Sequence, residues 1–574
     1  LNTRARRLSI RALLYLRPAA VAARAGLMLT LLALAGCAAQ GSFPADAEAQ
    51  LFARGLDEIA DLYIEPVTSR RLALSAIVRL SRFDGELHAR DGVGAGSAAA
   101  LALSYDGRDI GLYAMPADTD SRAWGELLAT LIAAAKQSSP RLAALSEDTI
   151  DQIAFDGMTT ALDRFSHYSA PRLARDQRAA RDGFGGVGLT LDPASDIFRV
   201  TAVIPQSPAD LAGIRPEDHI VAIDGIATAG RSYEEIVRQL RGPVGSAVAI
   251  SVLHPSTAQS GDLQLSRALV IVPTVTVSRD GDIAVFHIAS FNRSLTQRIV
   301  EGLAQVRQET GGHLAGIVLD LRGSPGGLLD QAVSLADLFI PEGPIASTVG
   351  RHPASHQYFA ASGAGAAART PLAVLINGGS ASAAEIVAAA LQDVGRAVVI
   401  GSSSYGKGTV QTVLRLPNDG ELTLTWARLV TPSGYFLQTH GVVPTLCTVD
   451  LGDDEGSFAT GLQRVSALSA GGLSAGGLPA RPRAALDEGA WSELRRLCPA
   501  RRTSPVIDLK LAERVLADPK LYSEALHALS VATQVGEGAP TGGRPQPGST
   551  TPEPGLTPEP GLTDVKRALS SQSR

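Results

Sequence analysis

After Pro273 the chain alternates short, almost wholly apolar runs with stretches of helical periodicity, a pattern that few architectures satisfy. The runs Ile283 to Ala289, Ile317 to Leu321, Leu372 to Ile376 and Ala397 to Ile400 lack the regular polar positions of a strand with one wet face. Between them, Leu295 to Thr310, Leu328 to Phe339 and Ala383 to Leu391 read as helices. Strands that are apolar on both faces need cover on both, and parallel neighbours are joined by helices. The pattern therefore predicts an α/β layer around a buried, mostly parallel sheet. In such sheets ligands bind beyond the carboxyl ends of the strands. Candidate functional residues thus lie in the turns 320–327 (DLRGSPGG), 377–385 (NGGSASAAE) and 401–411 (GSSSYGKGTVQ).

From Asp182 to Arg267 the rhythm differs. Short runs, Val187 to Leu191, Phe198 to Val203, Ile220 to Ile223 and Ala247 to Leu253, are separated by Gly and Pro, with one helix over Ser232 to Arg241. Several strands and a helix in so short a span predict a compact β-rich module. Three segments in order resemble the carboxylate-binding loop and later signature turns of a PDZ domain: Gly185 to Leu189 (GGVGL), Ser207 to Ile214 (SPADLAGI) and Asp218 to Gly225 (DHIVAIDG). Glycines let consecutive backbone N–H groups turn toward an anionic C-terminus, and an exposed strand edge accepts a peptide as an added strand. The resemblance implies Gly185, Gly186, Val187, Gly188 and Leu189 as substrate-binding residues.

The three turns of the α/β layer, continued by Thr431-Pro432-Ser433-Gly434 and Gly441-Val442-Val443-Pro444, resemble the carboxy-terminal processing, or tail-specific, proteases over about Leu56 to Thr448. These are serine peptidases with an embedded PDZ domain. The resemblance implies a multidomain α/β fold: a Ser–Lys protease core of crotonase-like or ClpP-like layers, a β-rich PDZ domain and an N-terminal helical region. It also implies Ser382 as nucleophile, Lys407 as general base and Gln411 as its support, with the N–H groups of Gly327 and Ala383 as oxyanion donors. Lys407 lies 25 residues after Ser382, and Gln411 four after Lys407, matching the family's spacing. No metal or organic cofactor is implied.

Each of these residues also has a plainer reading. Ser380 or Ser382 could simply cap the helix that follows. A Lys between Gly406 and Gly408 could be solvated or hold a phosphate, but a P-loop would need Ser or Thr where Gly408 stands. As a base, Lys407 needs a pKa well below about 10.4, which burial among apolar neighbours supplies. Gly323 and Ser324 replace the family's polar amides, leaving the stiffness of that loop open. Arg322 is expected to anchor the loop through a carboxylate, and Glu385 to order the nucleophile helix. A Ser-His-Asp protease of the heat-shock type would need a GNSGG-like turn, and a metallopeptidase HExxH; neither occurs. His440 is the fallback base. The alternative from another class is a catalytically silent, membrane-anchored PDZ scaffold that binds protein C-termini.

The ends complete the organisation. Arg4, Arg6, Arg7, Arg11, Arg17 and Arg24 precede the apolar run Ala25 to Gly36, too short for a bilayer-spanning helix of about 20 residues but suited to a signal peptide. Leu34-Ala35-Gly36-Cys37 resembles the bacterial lipobox, which implies cleavage before Cys37 and its lipidation; Ala38 in place of Asp permits outer-membrane sorting. An ordinary signal peptide with a chance Cys is the other reading, and Leu1 reads as a literally translated alternative start codon. The expected divisions are 1–36 signal peptide, 37–181 N-terminal helical and α+β region, 182–267 PDZ domain, 268–448 protease core, 449–535 C-terminal helical region and 536–574 a Pro- and Gly-rich tail. That tail, which repeats TPEPGL, cannot bury a core.

With 52 Lys and Arg against 57 Asp and Glu there is no basic footprint for nucleic acid. The expected partners are protein or peptide substrates with accessible C-terminal tails and, through the lipid, a membrane, with room for an adaptor protein or a homo-oligomer. The expected location is the bacterial periplasm. In that oxidising compartment Cys447 and Cys498, the cysteines left after Cys37, should pair.

Overall fold

Six strands form the central sheet in the order of the sequence: β1 (Val275–Asp280), β2 (Ile283–Ile288), β3 (Gly316–Asp320), β4 (Leu372–Ile376), β5 (Val398–Gly401) and β6 (Leu446–Cys447). β1 and β2 are an antiparallel pair; every later pair is parallel, in registers such as Ile317 opposite Leu372 and Ala373 opposite Val398. Each apolar run read from the sequence supplies one of these strands. The computed structural model describes residues 44–534, apart from 94–98, 195–196, 364, 366, 368, 472, 475–477, 480–482 and 484–485. The signal segment 1–36, Cys37 and the tail 536–574 lie outside the described residues, as do the expectations attached to them.

Why the strands carry no polar alternation is visible in their two faces. Phe286, Ile288, Leu319, Val374 and Val399 point into a core shared with the helices Leu295–Glu309, Leu329–Asp337 and Ala383–Asp393. Val285, Val318, Ala373, Leu375, Val398 and Ile400 point the other way, against Val465, Ile507, Leu511, Val515 and Leu516 of the helices Glu455–Gly471 and Val506–Ala517. The C-terminal helices are thus the sheet's second cover. Burying each Leu or Ile contributes roughly 1.5–3 kcal/mol, so leaving that face bare would cost far more than a domain's net stability.

A five-stranded sheet lies in the same unit, ordered Gln357–Ala360, Pro344–Val349, Glu421–Val430, Thr409–Arg415, with His167–Ser169 also paired to Glu421–Val430. Its strand Thr409–Arg415 starts two residues after Lys407, so the ladder fixes where the lysine loop ends. The PDZ-like module has a four-stranded sheet, Gln259–Ser266, Ala247–His254, His219–Ile223, Ile226–Ala227, and the helix Tyr233–Leu240, whose start is held by a Ser232–Glu235 capping box. Its core gathers Val187, Val200, Ile220, Ile236, Val248 and Ile250. The strand Ala268–Val270 pairs back onto Phe184–Gly186, so the module expected at 182–267 closes at Val270.

Described residues up to 60, with 67–162 and 416–418, form a separate compact unit. It contains the helices Ser69–Phe83, Ser121–Ser138 and Glu147–Thr160 and the antiparallel sheet Leu87–Val93, Ala99–Tyr105, Arg108–Ala114. Gly157 lets two of its helices touch, because a Cβ there would lie 2.6 Å from Ala76 Cα. An antiparallel sheet set among helices accounts for the mixed helical and α+β character of this stretch. Among the described residues no helix is long and apolar enough to cross a membrane.

Cys447 and Cys498 are bonded, with Cα atoms 6.0 Å apart and 51 residues of separation, joining the end of β6 to the residue after the helix Glu488–Leu497. Closing a loop of this length restricts the unfolded chain by about 4 kcal/mol. Replacing both cysteines with Ala should lower unfolding free energy by about that much in a denaturant titration; an unchanged midpoint and slope would contradict it.

Candidate active site

The turns after β3, β4 and β5 meet at the carboxyl edge of the sheet. After β4 the chain turns through Asn377 to Ser382 and enters the helix Ala383–Asp393, all of whose residues are buried. The two serines of the turn have different fates. Ser380 is fully buried; its Oγ donates to Leu321 O at 2.8 Å and accepts from Asn377 N–H at 2.9 Å, so it serves as a stitch. Ser382 is half-buried and stands at φ 53°, ψ −116°. A non-Gly residue in that region is strained, and a strand-to-helix turn that holds a serine so is the arrangement of a nucleophile elbow.

Glu385 links this turn to the next. Its carboxylate is wholly buried and takes four hydrogen bonds: from Ser382 N–H at 2.9 Å, Gly406 N–H at 2.7 Å, Lys407 N–H at 2.9 Å and the Ser404 hydroxyl. One oxygen, Oε2, accepts from both Ser382 and Lys407, so their main chains are fixed to the same point. Burial pushes the Glu385 carboxyl above its usual range, and the four donors pull the other way. Glu385, expected to order the helix after Ser382, thus also bonds the main chain of the loop that carries Lys407.

Lys407 is half-buried, with Nζ 5.1 Å from the centre of the Phe165 ring. Burial lowers its pKa below the ordinary lysine value, opposed by the charges of Glu385 and Asp163. Gly408 lets the chain pass against the backbone at Leu437 and Gln438, since a Cβ there would lie 2.0 Å from Gln438 N. Gln411 does not meet the expectation attached to it. Its Nε2 donates to Thr409 Oγ1 at 2.8 Å and Thr425 Oγ1 at 3.3 Å, and among the described residues it makes no hydrogen bond to Lys407. A register shift between Val410 and Gln411 accompanies this placement. His440 is spoken for: Nδ1 bonds Phe436 O at 2.8 Å, Nε2 lies 3.0 Å from Glu488, and the ring stacks on Trp491.

The loop after β3 brings Gly326 against the turn at Ala381 to Ala383 and Gly327 against Phe291. A Cβ at Gly326 would lie 2.7 Å from Ala383 N, and one at Gly327 would lie 2.2 Å from Phe291 O; both have positive φ, 91° and 148°. Only glycine leaves the space in front of Ala383 N–H open. Among the described residues, no backbone carbonyl accepts from Gly327 or Ala383 N–H. The loop's stiffness, left open by Gly323 and Ser324, comes from the main chain: Ala381 N–H donates to Ser324 O at 2.9 Å and Gly323 N–H to Asn377 Oδ1 at 2.9 Å. Arg322 anchors the loop as expected, paired with both Asp320 oxygens at 2.8 Å and with Asp508 at 3.2 Å.

In the PDZ-like module a groove of about 180 Å³ is lined by Val187, Gly188, Leu189, Tyr233, Val237 and Leu240 among others. The N–H groups of Val187 and Gly188 meet no backbone carbonyl among the described residues. Gly185 and Gly186 are not in the groove wall. They belong to the strand Phe184–Gly186, where a Cβ on Gly185 would fall 2.0 Å from Gly242 O. The sequence reading missed Arg241, which lines the groove and lies 4.3 Å over the Phe184 ring. A cation just after an amphipathic helix that faces a glycine loop was the available signal.

A family model described as peptidase family S41 matches residues 282–447, and one described as PDZ domain matches 199–253. The carboxy-terminal-processing protease of Bartonella bacilliformis is 38% identical over 295 residues, covering 51% of this chain and 68% of the relative. The carboxyl-terminal-processing protease of Synechocystis sp. is 34% identical over 266 residues, 45% of this chain and 61% of the relative. A solved photosystem II D1 C-terminal processing protease is 29% identical with a TM-score of 0.31, over 54% of this chain and 87% of that one. The matched spans contain the three turns, the Glu385 junction and much of the β-rich module, and the chain belongs to peptidase family S41, the carboxy-terminal-processing proteases with a PDZ domain.

Proposed function

We propose that the chain is a periplasm-facing, lipid-anchored endopeptidase that captures the C-terminal tail of a protein substrate in its PDZ groove and cleaves nearby bonds with a Ser382–Lys407 dyad. The observation that supports the dyad best is the shared Glu385 oxygen, which holds both main chains at one point beside a lysine whose pKa burial has lowered. In this reading the neutral Lys407 amine removes the Ser382 hydroxyl proton as Oγ attacks the scissile carbonyl. Gly327 and Ala383 N–H receive the developing oxyanion, each donor being worth about 3 kcal/mol. The lysine ammonium then protonates the leaving amine, and the amine so regenerated activates the water that hydrolyses the acyl-enzyme. Gln411 is assigned an indirect part, tying Thr409, at the start of the strand after Lys407, to Thr425 of the neighbouring strand Glu421–Val430.

The silent-scaffold alternative needs no strained serine and no desolvated lysine, and both cost stability. The Cys447–Cys498 bond favours an oxidising compartment, in line with the export signal. At the other site, unengaged N–H groups of Val187 and Gly188 beside Arg241 and an apolar groove suit a carboxylate that follows an apolar side chain.

Turnover of a fluorescence-quenched peptide with an apolar C-terminus tests the dyad. Ser382→Ala should abolish it. Lys407→Arg keeps the charge but cannot deprotonate, so it should lose about as much, because members of one catalytic unit are not additive. In the wild type kcat/KM should rise with pH through one ionisation below the ordinary lysine value, since the base works unprotonated. An active Lys407→Arg enzyme with the same profile would refute the assignment.

A binding titration tests the groove. Peptides ending in apolar residues should bind and ones ending in Asp-Asp should not, and Arg241→Ala should weaken the former about tenfold, the scale of one charge-assisted contact. Equal affinity for both tails would count against a PDZ role.

A further inference from the structure

The eight residues 498–505, between the helices Glu488–Leu497 and Val506–Ala517, have no regular structure, yet they bond to the turns after β3, β4 and β5. Arg501 O accepts from Gly378 N–H at 2.6 Å and from Ser402 Oγ at 3.1 Å, and Arg501 N–H donates back to Ser402 Oγ at 3.2 Å. Pro505 O accepts from Arg322 Nη1 at 2.8 Å. Both ends are pinned: Cys498 by its disulfide to Cys447, and the helix that follows by Asp508, which takes Thr448 Oγ1 at 2.6 Å and Arg322.

Asn377 is the junction. It is 1% exposed, and its carboxamide is divided between two tasks. Oδ1 accepts from Gly323 N–H at 2.9 Å and Gly379 N–H at 2.8 Å, joining the oxyanion loop to the nucleophile turn. Nδ2 donates to Thr503 O at 3.0 Å and Ser504 Oγ at 3.1 Å, joining both to the C-terminal segment. Gly378 has no slack there, since a Cβ would lie 3.0 Å from Arg501 N.

We propose that residues 498–508 are a positioning strap for acyl transfer: through Asn377, Ser402 and Arg322 they hold the oxyanion loop, the nucleophile turn and the lysine loop in mutual register. The strap touches no reacting atom. Its effect is on geometry, where a misplacement of about 1 Å can cost about a hundredfold in rate. The inference rests on the Ser382–Lys407 reading for what is being positioned, and it identifies a C-terminal segment beyond the 282–447 family match as part of the working site.

Two variants of the full chain test it. Asn377→Asp keeps an acceptor for Gly323 and Gly379 but sets an oxygen against Thr503 O, uncoupling the strap while leaving the two loops joined. Ser402→Ala removes both bonds to Arg501, and Ser402→Thr restores the hydroxyl. With the quenched peptide, Asn377→Asp and Ser402→Ala should each lower kcat about tenfold or more with KM and PDZ-peptide affinity unchanged, and Ser402→Thr should recover most of it. Wild-type kcat in folded Ser402→Ala, or a loss shared equally by kcat, KM and peptide affinity, would overturn the strap. Should Asn377→Asp fail to fold, the Ser402 pair decides alone. Turnover by Ser382→Ala would refute the nucleophile instead, and the response of kcat to Ser402 would still be read.

Discussion

A carboxylate with no exposure to solvent, Glu385, sits where the turn at Ser382 and the loop at Lys407 meet. Such a group is costly unless its lone pairs are filled, and removing one donor from a buried charge leaves a penalty of several kcal/mol. Glu385 fills them with main-chain N–H groups from 382, 406 and 407 and the Ser404 hydroxyl. The two loops must therefore close on it together or leave it unsatisfied. This ties the main chains of Ser382 and Lys407 to one buried oxygen, and it accounts for how Ser382 is kept at a positive φ that the residue would not adopt alone.

The sheet sets the frame for that junction. β3, β4 and β5 are parallel and adjacent, so their carboxyl ends deliver three turns to one edge. Parallel strands need both faces covered, and the second cover comes from helices at the far end of the chain. The protease core is thus incomplete without residues after 449, and the segment linking those helices runs against the three turns. Stability and alignment of the site come from the same piece of chain.

Much of this was legible in the sequence because it is local. Apolar runs without alternation gave the buried strands, and glycines at 326 and 327 mark a loop where a Cβ has no room. The choice between Ser380 and Ser382 came from resemblance; geometry separates them through bonds to Leu321 and Asn377 that no periodicity encodes. Tertiary partners were the part left unread. Gln411 turned to Thr409 and Thr425, Gly185 and Gly186 went to strand pairing rather than the groove wall, and Arg241 entered the groove unannounced. The C-terminal helices read as an appended region because their apolar faces show amphipathicity and not the surface they cover.

The central claim is that Glu385 holds Ser382 and Lys407 as one unit, and the reaction of Ser382 with a fluorophosphonate probe reports it without any substrate. Glu385→Gln removes the charge and, with its amide group turned toward Ser382 and Lys407, replaces an acceptor with a donor. The second-order rate of labelling, with the adduct located by peptide mass spectrometry, should fall about a hundredfold or more in the variant, a loss on the scale of one misaligned catalytic group. The wild-type adduct should lie on Ser382. Wild-type labelling rates in folded Glu385→Gln, or an adduct on Ser380, would contradict the account.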